Sequence, residues 1–379
     1  MDPRKKFMEV FNRYKKGSIS RRDFLGATGL GLATTAMAMN MPGLLGAQKA
    51  FAAEDLGNRL ALATWPNYHD ANNFKEFTKK TGVHIQHNVF GSNEEILAKI
   101  QAGGSPFDVM VITNYTISTY VKLGMIEPLD TSKIPNFIEA NHDRMFIGQG
   151  KIDGNLYAVP KNWGTTGIAF NSKHIPEMTS WKQFFDLTKT KYSGRTMVHD
   201  YQLTTIGNAL KYFGYPFNSV DPKELADAEK LLIDVKPHLF AISSDYQPAM
   251  RNGDAWMTMC WTGDGSQLHR DIPEIQYAVV SDGGEIWTDF YAIPKDSERK
   301  PAAYALINYL LDPKVNAKEV LAHGYPATDA LTRELLPKEM AQDPIMYPAK
   351  ELLSGLEFGA AETLTSPLRA EVMARFKSA

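Results

Sequence analysis

Cysteine is almost absent from this chain of 379 residues, which contains only Cys260. No disulfide bond can therefore form within the chain, and no cysteine follows the amino-terminal segment where a lipid could be attached. Cys260 lies in the apolar run 256–261, which predicts a small buried side chain in a strand. A protein without a lipid anchor is therefore expected.

Motifs of catalysis and of metal binding are also missing. There is no G-x-S-x-G elbow, no H-E-x-x-H helix and no S-x-x-K motif. Among the nine histidines, His84 and His87 fall three residues apart in a predicted strand, where they would face opposite sides. The glycines of 102–105 are not followed by a Lys-Ser or Lys-Thr pair, so no phosphate-binding loop is predicted. The sequence predicts no enzyme, no metal and no cofactor.

The first 52 residues have the pattern of a twin-arginine signal peptide. Arg21 and Arg22 precede Phe-Leu and a weakly apolar run, 26–33, which is too rich in Gly, Ala and Thr to stay in a bilayer. An A-x-A cleavage site at 50–52 ends the segment. We therefore expect export of the folded chain by the twin-arginine translocase into the periplasm. The alternative is an amphipathic helix with a chance arginine pair.

Acidic residues outnumber basic ones after the signal is removed. Residues 1–52 contain nine of the 41 basic and three of the 43 acidic residues, which leaves 32 and 40, a formal net charge of -8. A protein with this net negative charge is not expected to bind nucleic acid, which requires a basic surface. An acidic body is compatible with a cationic ligand.

Apolar periodicity predicts an α/β fold. Strands are expected at 60–65, 83–90 and 107–113, with amphipathic helices at 72–80 and 93–102 between them. Right-handed crossovers make such strands parallel, and ligands then bind beyond the carboxyl ends of the strands. The loops at those ends carry aromatic and small polar residues, as a binding cleft would.

A second α/β pattern follows. Helices are predicted at 181–189, 203–213, 222–235 and 300–311, and strands at 195–199, 257–261, 275–280 and 287–294. About 327 residues remain after cleavage, more than one hydrophobic core usually spans, so two domains are expected. Chain crossings near 160–167 and 286–290 would separate lobe 1 (53–163 plus 288–333) from lobe 2 (164–287 plus 334–379).

Two loops pair a tryptophan with a carboxylate. They are Trp261-Thr262-Gly263-Asp264 and Trp287-Thr288-Asp289. A tryptophan face attracts an alkylammonium by about 0.5–2 kcal/mol, and a nearby carboxylate holds the same group by a charge-assisted hydrogen bond. This pattern predicts a site for an organic amine. The alternative is two core tryptophans whose aspartates cap turns.

An ordered series of motifs resembles the periplasmic spermidine/putrescine-binding proteins of ABC transporters. It runs through nearly all of residues 58–350 and comprises Trp65 with Tyr68, Ser92-Asn93-Glu94, Phe107-Asp108-Val109, Gly124-Met125-Ile126, Trp163-Gly164-Thr165-Thr166-Gly167, Trp261-Thr262-Gly263-Asp264, Asp289-Phe290-Tyr291-Ala292-Ile293-Pro294 and Gly324-Tyr325-Pro326. The resemblance implies a type II periplasmic-binding-protein fold, with two α/β lobes, each a mixed sheet flanked by helices, and a ligand cleft between them. It also implies delivery of a polyamine to the permease subunits of a transporter. We expect a monomer.

The resemblance assigns ten residues to the ligand site: Trp65, Tyr68, Thr113, Tyr115, Asp200, Trp261, Asp264, Trp287, Asp289 and Tyr325. Trp261 and Trp287 would stack on the methylene chain and the ammonium group. Asp289 matches the acid that holds an amine in both spermidine and putrescine binders. Asp264 matches an acid typical of the putrescine-type members.

Two positions depart from the family pattern. Leu203 stands where spermidine-type binders have a second glutamate, and a family glutamine is absent near Phe358 and Gly359. A triamine would then lack a partner at one end, and an unpaired buried charge costs several kcal/mol. A diamine such as putrescine, or a related amine, is therefore favoured over spermidine.

Two other hypotheses remain open. Distant relatives use the same fold for other solutes, so the ligand of such a binding protein could be an opine-like amino compound, another cationic nutrient or a metal complex. The second is an exported enzyme, since export in the folded state suits a protein that carries a cofactor.

Overall fold

The computed structural model describes residues 55–103 and 106–379. The predicted signal peptide, 1–52, lies outside the described residues. Within the described ranges, the helices are all too short or too polar to cross a membrane.

The described residues form twelve strands: β1 (Arg59–Thr64), β2 (His84–Val89), β3 (Val109–Thr113), β4 (Lys151–Ile152), β5 (Asn155–Leu156), β6 (Val159–Asn171), β7 (Thr196–Val198), β8 (Leu239–Ile242), β9 (Met257–Trp261), β10 (Ile275–Ala278), β11 (Gly284–Ala292) and β12 (Leu356–Phe358). The α-helices of the same ranges are α1 (Ala71–Thr81), α2 (Asn93–Gly103), α3 (Asn114–Lys122), α4 (Arg144–Gln149), α5 (Trp181–Lys189), α6 (Gln202–Tyr212), α7 (Pro222–Val235), α8 (Gln247–Asn252), α9 (Thr262–Asp271), α10 (Lys300–Leu310), α11 (Pro313–His323), α12 (Ala330–Glu334), α13 (Lys338–Ala341), α14 (Lys350–Leu353), α15 (Ala361–Thr365) and α16 (Pro367–Ser378).

One mixed sheet contains ten of these strands. Its order is β2-β1-β3-β11-β6-β9-β7-β8, with β10 beside β6 and β12 beside β11. The strands β1, β2 and β3 pair in parallel at one end, and β7, β8 and β9 pair in parallel at the other. Between them, β11 and β6 run antiparallel to their neighbours along this path. The predicted α/β architecture with two parallel sets of strands is therefore present.

The long strands β6 and β11 connect the two ends of the sheet. Residues 289–292 of β11 pair with β3, whereas residues 284–286 pair with β12. Residues 166–170 of β6 pair with β9. These strands include the segments that we predicted as chain crossings, and the lobe boundaries themselves stay a prediction.

Local sequence explains where the helices begin and end. Asp70 caps α1 by accepting a hydrogen bond from the backbone of Asn72, and α1 ends at Gly82 in the left-handed conformation. Ser180 caps α5 in the same way. The predicted helices 181–189 and 222–235 and the predicted strand 257–261 have the observed bounds.

The start of β11 was predicted three residues too late, at 287. Gly283 and Gly284 have φ values of +94° and +143°, and the Asp-Gly-Gly sequence before Glu285 is typical of a turn. Despite this, Glu285 pairs with Thr166 of β6 and with Glu357 of β12, so the strand already begins at Gly284.

Apolar side chains form separate clusters on the faces of the sheet. One cluster packs the aromatic residues of α5 against α6, α7, β9 and α16. Another packs α2 and α3 against β3 and β11. Cys260 lies in a third cluster, fully buried on β9, as predicted.

Candidate ligand-binding site

A cavity of about 960 Å³ lies at the carboxyl ends of the parallel strands. The loops that follow β1, β2 and β3 contribute to its lining, and so do those that follow β7, β8 and β9. Its volume lies in the range of small-molecule sites. All ten residues that the sequence assigned to the ligand site line this one cavity, while their contact with a ligand stays a prediction.

Asp289 is held by hydrogen bonds at one side of the cavity. It is 4% exposed, and its Oδ2 accepts from the Tyr68 hydroxyl at 2.7 Å while its Oδ1 accepts from the Thr113 hydroxyl at 2.7 Å. The Tyr68 hydroxyl also lies 2.8 Å from Asn162 Oδ1. Burial raises the pKa of the Asp289 carboxyl, and these hydrogen bonds together with Lys161 offset part of that effect.

Lys161 is a buried cation that the sequence did not mark. It is 2% exposed, and its Nζ lies 4.0 Å from the ring centroid of Tyr68. Among the described residues this ammonium group has no hydrogen-bond partner. Burial lowers the pKa of Lys161 to about 8, against the opposing pull of Glu319 and Asp289. Tyr68 is thus held by Asp289 through its hydroxyl and by Lys161 at its ring.

His69 and Glu319 anchor the loop after β1 to helix α11. His69 Nδ1 lies 2.7 Å from Glu319 Oε2, and Asn73 donates to Glu319 Oε1 at 2.6 Å. Burial lowers the pKa of His69 to about 4, so the imidazole is neutral at physiological pH. The neighbouring His69, Lys161 and Asn73 outweigh the opposing effect of burial and hold the pKa of Glu319 below its ordinary value. This contact fixes the end of the loop that brings Trp65 and Tyr68 to the cavity.

Asp264 lies in the first turn of α9 on another wall of the cavity. Its Oδ2 accepts from the Tyr246 hydroxyl at 2.6 Å, and its Oδ1 accepts from Gln247 Nε2 at 2.9 Å. Burial raises the pKa of this carboxyl. The Tyr246 hydroxyl in turn accepts from the backbone N–H of Trp261 at 3.0 Å. One tyrosine therefore connects the carboxylate to the strand that carries the tryptophan.

Aromatic rings form much of the remaining wall. Tyr325 packs edge-on against both Trp287 and Tyr68, with centroids 5.3 Å apart in each pair. Two glycines make these positions available: a Cβ at Gly164 would lie 2.5 Å from the Trp287 ring, and one at Gly263 would lie 2.7 Å from the Tyr325 ring. The glycines of the two motifs thus let the rings lie directly on the backbone.

The other predicted residues complete the lining. Trp65 packs on Phe90 with centroids 4.5 Å apart. Asn93 donates to the hydroxyls of Thr113 and Tyr115, at 3.1 and 2.9 Å. Asp200 is exposed and accepts a hydrogen bond from the Ser244 hydroxyl at 2.5 Å.

Glu285 is a second buried acid of the cavity, besides Asp289, and the sequence did not predict it. It is 2% exposed, and its Oε2 accepts from Thr166 at 2.6 Å and from Thr204 at 3.0 Å. Burial raises the pKa of Glu285 to about 7 and Asp289 adds to the effect, while the two threonines and Arg369 oppose it. The strand predicted from 287 did not include this residue. Tyr201 and Tyr246 were missed as well, although both follow strands at the edge where ligands bind.

The two departures from the family pattern meet in space. Leu203 is 1% exposed and packs in the core with Tyr115 and Phe217. A Cβ at Gly359 would lie 2.9 Å from the Leu203 side chain and 3.2 Å from Tyr115. An apolar contact therefore occupies the place where the resemblance implied two polar side chains.

Comparison with known proteins identifies the family. Residues 72–348 match the family described as bacterial extracellular solute-binding protein. The chain belongs to this family. It is 30% identical over 314 residues to the putrescine-binding periplasmic protein SpuD of Pseudomonas aeruginosa, covering 78% of this chain and 85% of that protein. It is 31% identical over 331 residues to the spermidine/putrescine-binding periplasmic protein of Escherichia coli, covering 85% and 93%.

A similar solved structure supports the fold. The spermidine/putrescine ABC transporter substrate-binding protein PotD of Streptococcus pneumoniae is 29% identical, covers 85% of this chain and 99% of its own, and superposes with a TM-score of 0.71. The predicted periplasmic-binding-protein fold and the resemblance to the spermidine/putrescine-binding proteins are therefore confirmed.

Proposed function

We propose that this chain is the periplasmic solute-binding component of an ABC-type importer and that its cavity binds putrescine- or spermidine-like amines. The observation that carries the proposal is the pair of carboxylates formed by the partly buried Asp264 and the buried Asp289, each oriented by two hydrogen bonds in a cavity walled by tryptophan and tyrosine. The relatives that bear the names of polyamine-binding proteins support it.

The geometry explains how an amine would be held. The hydrogen bonds from Tyr68 and Thr113 keep the Asp289 carboxylate in place, so that no side chain has to be ordered when an ammonium group arrives. An ammonium beside a buried carboxylate gains a charge-assisted hydrogen bond, and the rings of Trp261 and Trp287 would cover the methylene chain. The ligand-bound form would close by hinge motion and present itself to the permease.

The charge of the cavity favours a cation over a zwitterion or an anion. Asp264, Glu285 and Asp289 supply acidic groups. Arg251, which also lines the cavity, is engaged by Asp271 at 2.9 Å. An opine-like ligand would bring its own carboxylates into this acidic environment and would need compensating cations. We further propose that the chain acts as a binding protein and not as an enzyme, that it is exported by the twin-arginine translocase, and that it works as a monomer.

Calorimetric titration tests the proposal. The protein without its signal peptide is freed of co-purified solute, shown to be folded, and titrated with putrescine and with spermidine. We expect saturable heat with at least one of them, and binding of 1-aminobutane more than about tenfold weaker than that of putrescine, because the second ammonium is missing. No heat with either polyamine overturns the proposal.

A matched pair of variants tests the anchor. We expect Asp289→Asn to weaken polyamine binding by more than about tenfold, as the loss of a charged hydrogen-bond partner predicts. Asp296→Asn, an exposed aspartate beyond the end of the same strand, should leave the affinity unchanged. Equal affinities of the two variants would remove Asp289 from the site.

A further inference from the structure

Strand β11 carries two carboxylates on the same face. Side chains of a strand alternate between its faces, and the pairing of residues 285–289 with β6 is regular, with the register shift only after Asp289. Glu285, Trp287 and Asp289 therefore point the same way, and all three line the cavity. At a rise of ~3.3 Å per residue, the Cα atoms of the two acids lie about 13 Å apart.

Only one of the two oxygens of the Glu285 carboxylate accepts hydrogen bonds. The hydrogen bonds from Thr166 and Thr204 both go to Oε2. Within the described part of the chain, Oε1 accepts no hydrogen bond, although the residue is 2% exposed. Oε1 is not sealed inside the protein but is reached from the cavity that Glu285 lines, so it is free to accept a hydrogen bond from a donor that a ligand supplies.

The neighbouring cation does not provide that donor. Arg369 of α16 directs its Nη atoms to backbone carbonyl oxygens of Leu203, Phe217 and Ser219. Its charge acts on Glu285 only through space. Glu285 thus has a cation nearby that moderates its charge and no cationic hydrogen-bond donor among the described residues.

We propose that Glu285 is a second ammonium anchor of the cavity, at the opposite end of an elongated amine from Asp289. The inference rests on the proposed function and adds to it a residue that determines specificity. Thr204 places the Glu285 carboxylate beside the first turn of α6, next to Leu203. Spermidine-type binders have a glutamate where this chain has Leu203. Glu285 of β11 therefore supplies a carboxylate in the same region.

The spacing defines the class of ligand. Five bonds separate the two nitrogens of a four-carbon diamine, which spans about 6 Å at standard bond lengths. A triamine of the spermidine type spans about 11 Å. Two carboxylates on backbone positions about 13 Å apart match the longer molecule. Glu285 therefore reverses the preference for a diamine that Leu203 alone suggested.

The test compares two ligands and two variants. Wild type, Glu285→Gln and Asp289→Asn are titrated with spermidine and with putrescine. We expect Glu285→Gln to weaken spermidine binding by at least about tenfold and putrescine binding by less than about threefold. Asp289→Asn should weaken both. Wild type that binds neither amine overturns the proposed function and this inference together. If wild type binds an amine but Glu285→Gln has the wild-type affinity for both amines, the assignment of Glu285 is overturned and the proposed function stands. The same holds if Glu285→Gln weakens the binding of both amines equally.

The number of protons released on binding provides a second readout besides the affinity. The groups that face Glu285 are Asp289, Arg369, Tyr115 and Tyr201. With a pKa of about 7, Glu285 is partly protonated at neutral pH, and an ammonium at its oxygen would favour the carboxylate. Spermidine titrations of wild type in buffers of different ionisation enthalpy should therefore show proton release at pH 7, and Glu285→Asp, which keeps the charge, should retain it. Proton release that Glu285→Gln retains in full overturns the inference.

Discussion

The hydroxyl of Tyr68 donates a hydrogen bond to Asp289 Oδ2 at 2.7 Å, across 221 positions of sequence. This bond joins the loop after β1 to strand β11 at the wall of the cavity. Because Asp289 is buried and its pKa is raised, a donor at its carboxylate stabilises the ionised form that an ammonium needs.

Tyr68→Phe should therefore weaken polyamine binding by about tenfold, within the range for a hydrogen bond to a charged group. The pKa of Asp289 should rise further without this donor, so binding should fall off at a higher pH on the acidic side than in wild type. Calorimetric titration between pH 5 and pH 8 measures both effects. Tyr215→Phe is the matched control, because it removes a tyrosine hydroxyl that donates to Asp227 outside the cavity.

Glu285 should make the ligand-free protein less stable as the pH rises. Its pKa is raised from the ordinary value of 4.5 to about 7, so the folded state favours the protonated acid. The stabilisation that this provides is complete below pH 4.5 and is lost as the pH passes through 7. A pKa raised this far corresponds to at most roughly 3 kcal/mol.

Urea unfolding of ligand-free wild type and of Glu285→Gln at pH 5 and pH 8 measures this dependence. The variant should gain stability relative to wild type on going from pH 5 to pH 8, because its amide does not ionise. Parallel pH profiles of the two proteins would contradict the account of Glu285.

Gly164→Ala should disturb the wall that Trp287 forms. The added Cβ would lie 2.5 Å from the indole ring, and overpacking of this kind typically costs about 1–3 kcal/mol. We expect a lower free energy of unfolding together with weaker polyamine binding. Gly148→Ala in α4 is the control, because a Cβ there meets nothing within 4 Å and alanine favours the helix. A Gly164→Ala protein with the stability and affinity of wild type would show that the ring can shift freely.

Arg369 and Arg375 of α16 should differ in their effect on stability. Arg369 is fully buried and binds three backbone carbonyl oxygens, so Arg369→Met should lower the free energy of unfolding by about 3 kcal/mol or more. Arg375→Met removes only surface ion pairs with Glu229 and Glu371, and such pairs contribute little. Thermal and urea unfolding of both variants measures the difference, and similar losses for the two would be inconsistent with the structural role of Arg369.

The parts of the site that the sequence predicted follow local patterns. Periodicity located β1, β3 and β9, and the rule that ligands bind beyond the carboxyl ends of parallel strands then pointed to Trp65, Thr113 and Trp261. The two loops that pair a tryptophan with a carboxylate pointed to Asp264 and Asp289, and the resemblance then gave each a role. No long-range contact had to be known for either step.

The parts that it missed depend on contacts between distant segments. Glu319 binds His69 across 250 positions, and the burial of Lys161 against Tyr68 exists only in the folded chain. Glu285 directly follows two glycines, a pattern that is typical of a turn. In the folded chain, pairing with β6 and β12 nevertheless makes Glu285 part of strand β11. Hydrogen-bonded pairing overrode the local preference there.

The alternation of side chains between the two faces of β11 limits how substitutions on this strand could change the selectivity of the cavity. Residues on one face of a strand recur every second position, so an acid on β11 can move along the cavity only in steps of about 7 Å. Exchange of Glu for Asp at one position shifts the carboxylate by a single methylene group, so a larger shift requires another position on this face of the strand. Toward its start, the next position on this face is Gly283, whose φ of +94° disfavours any side chain. In the proposed site, the acids of β11 would therefore set the ligand length only in coarse steps, and Glu285 is the position nearest the start of the strand that carries a side chain.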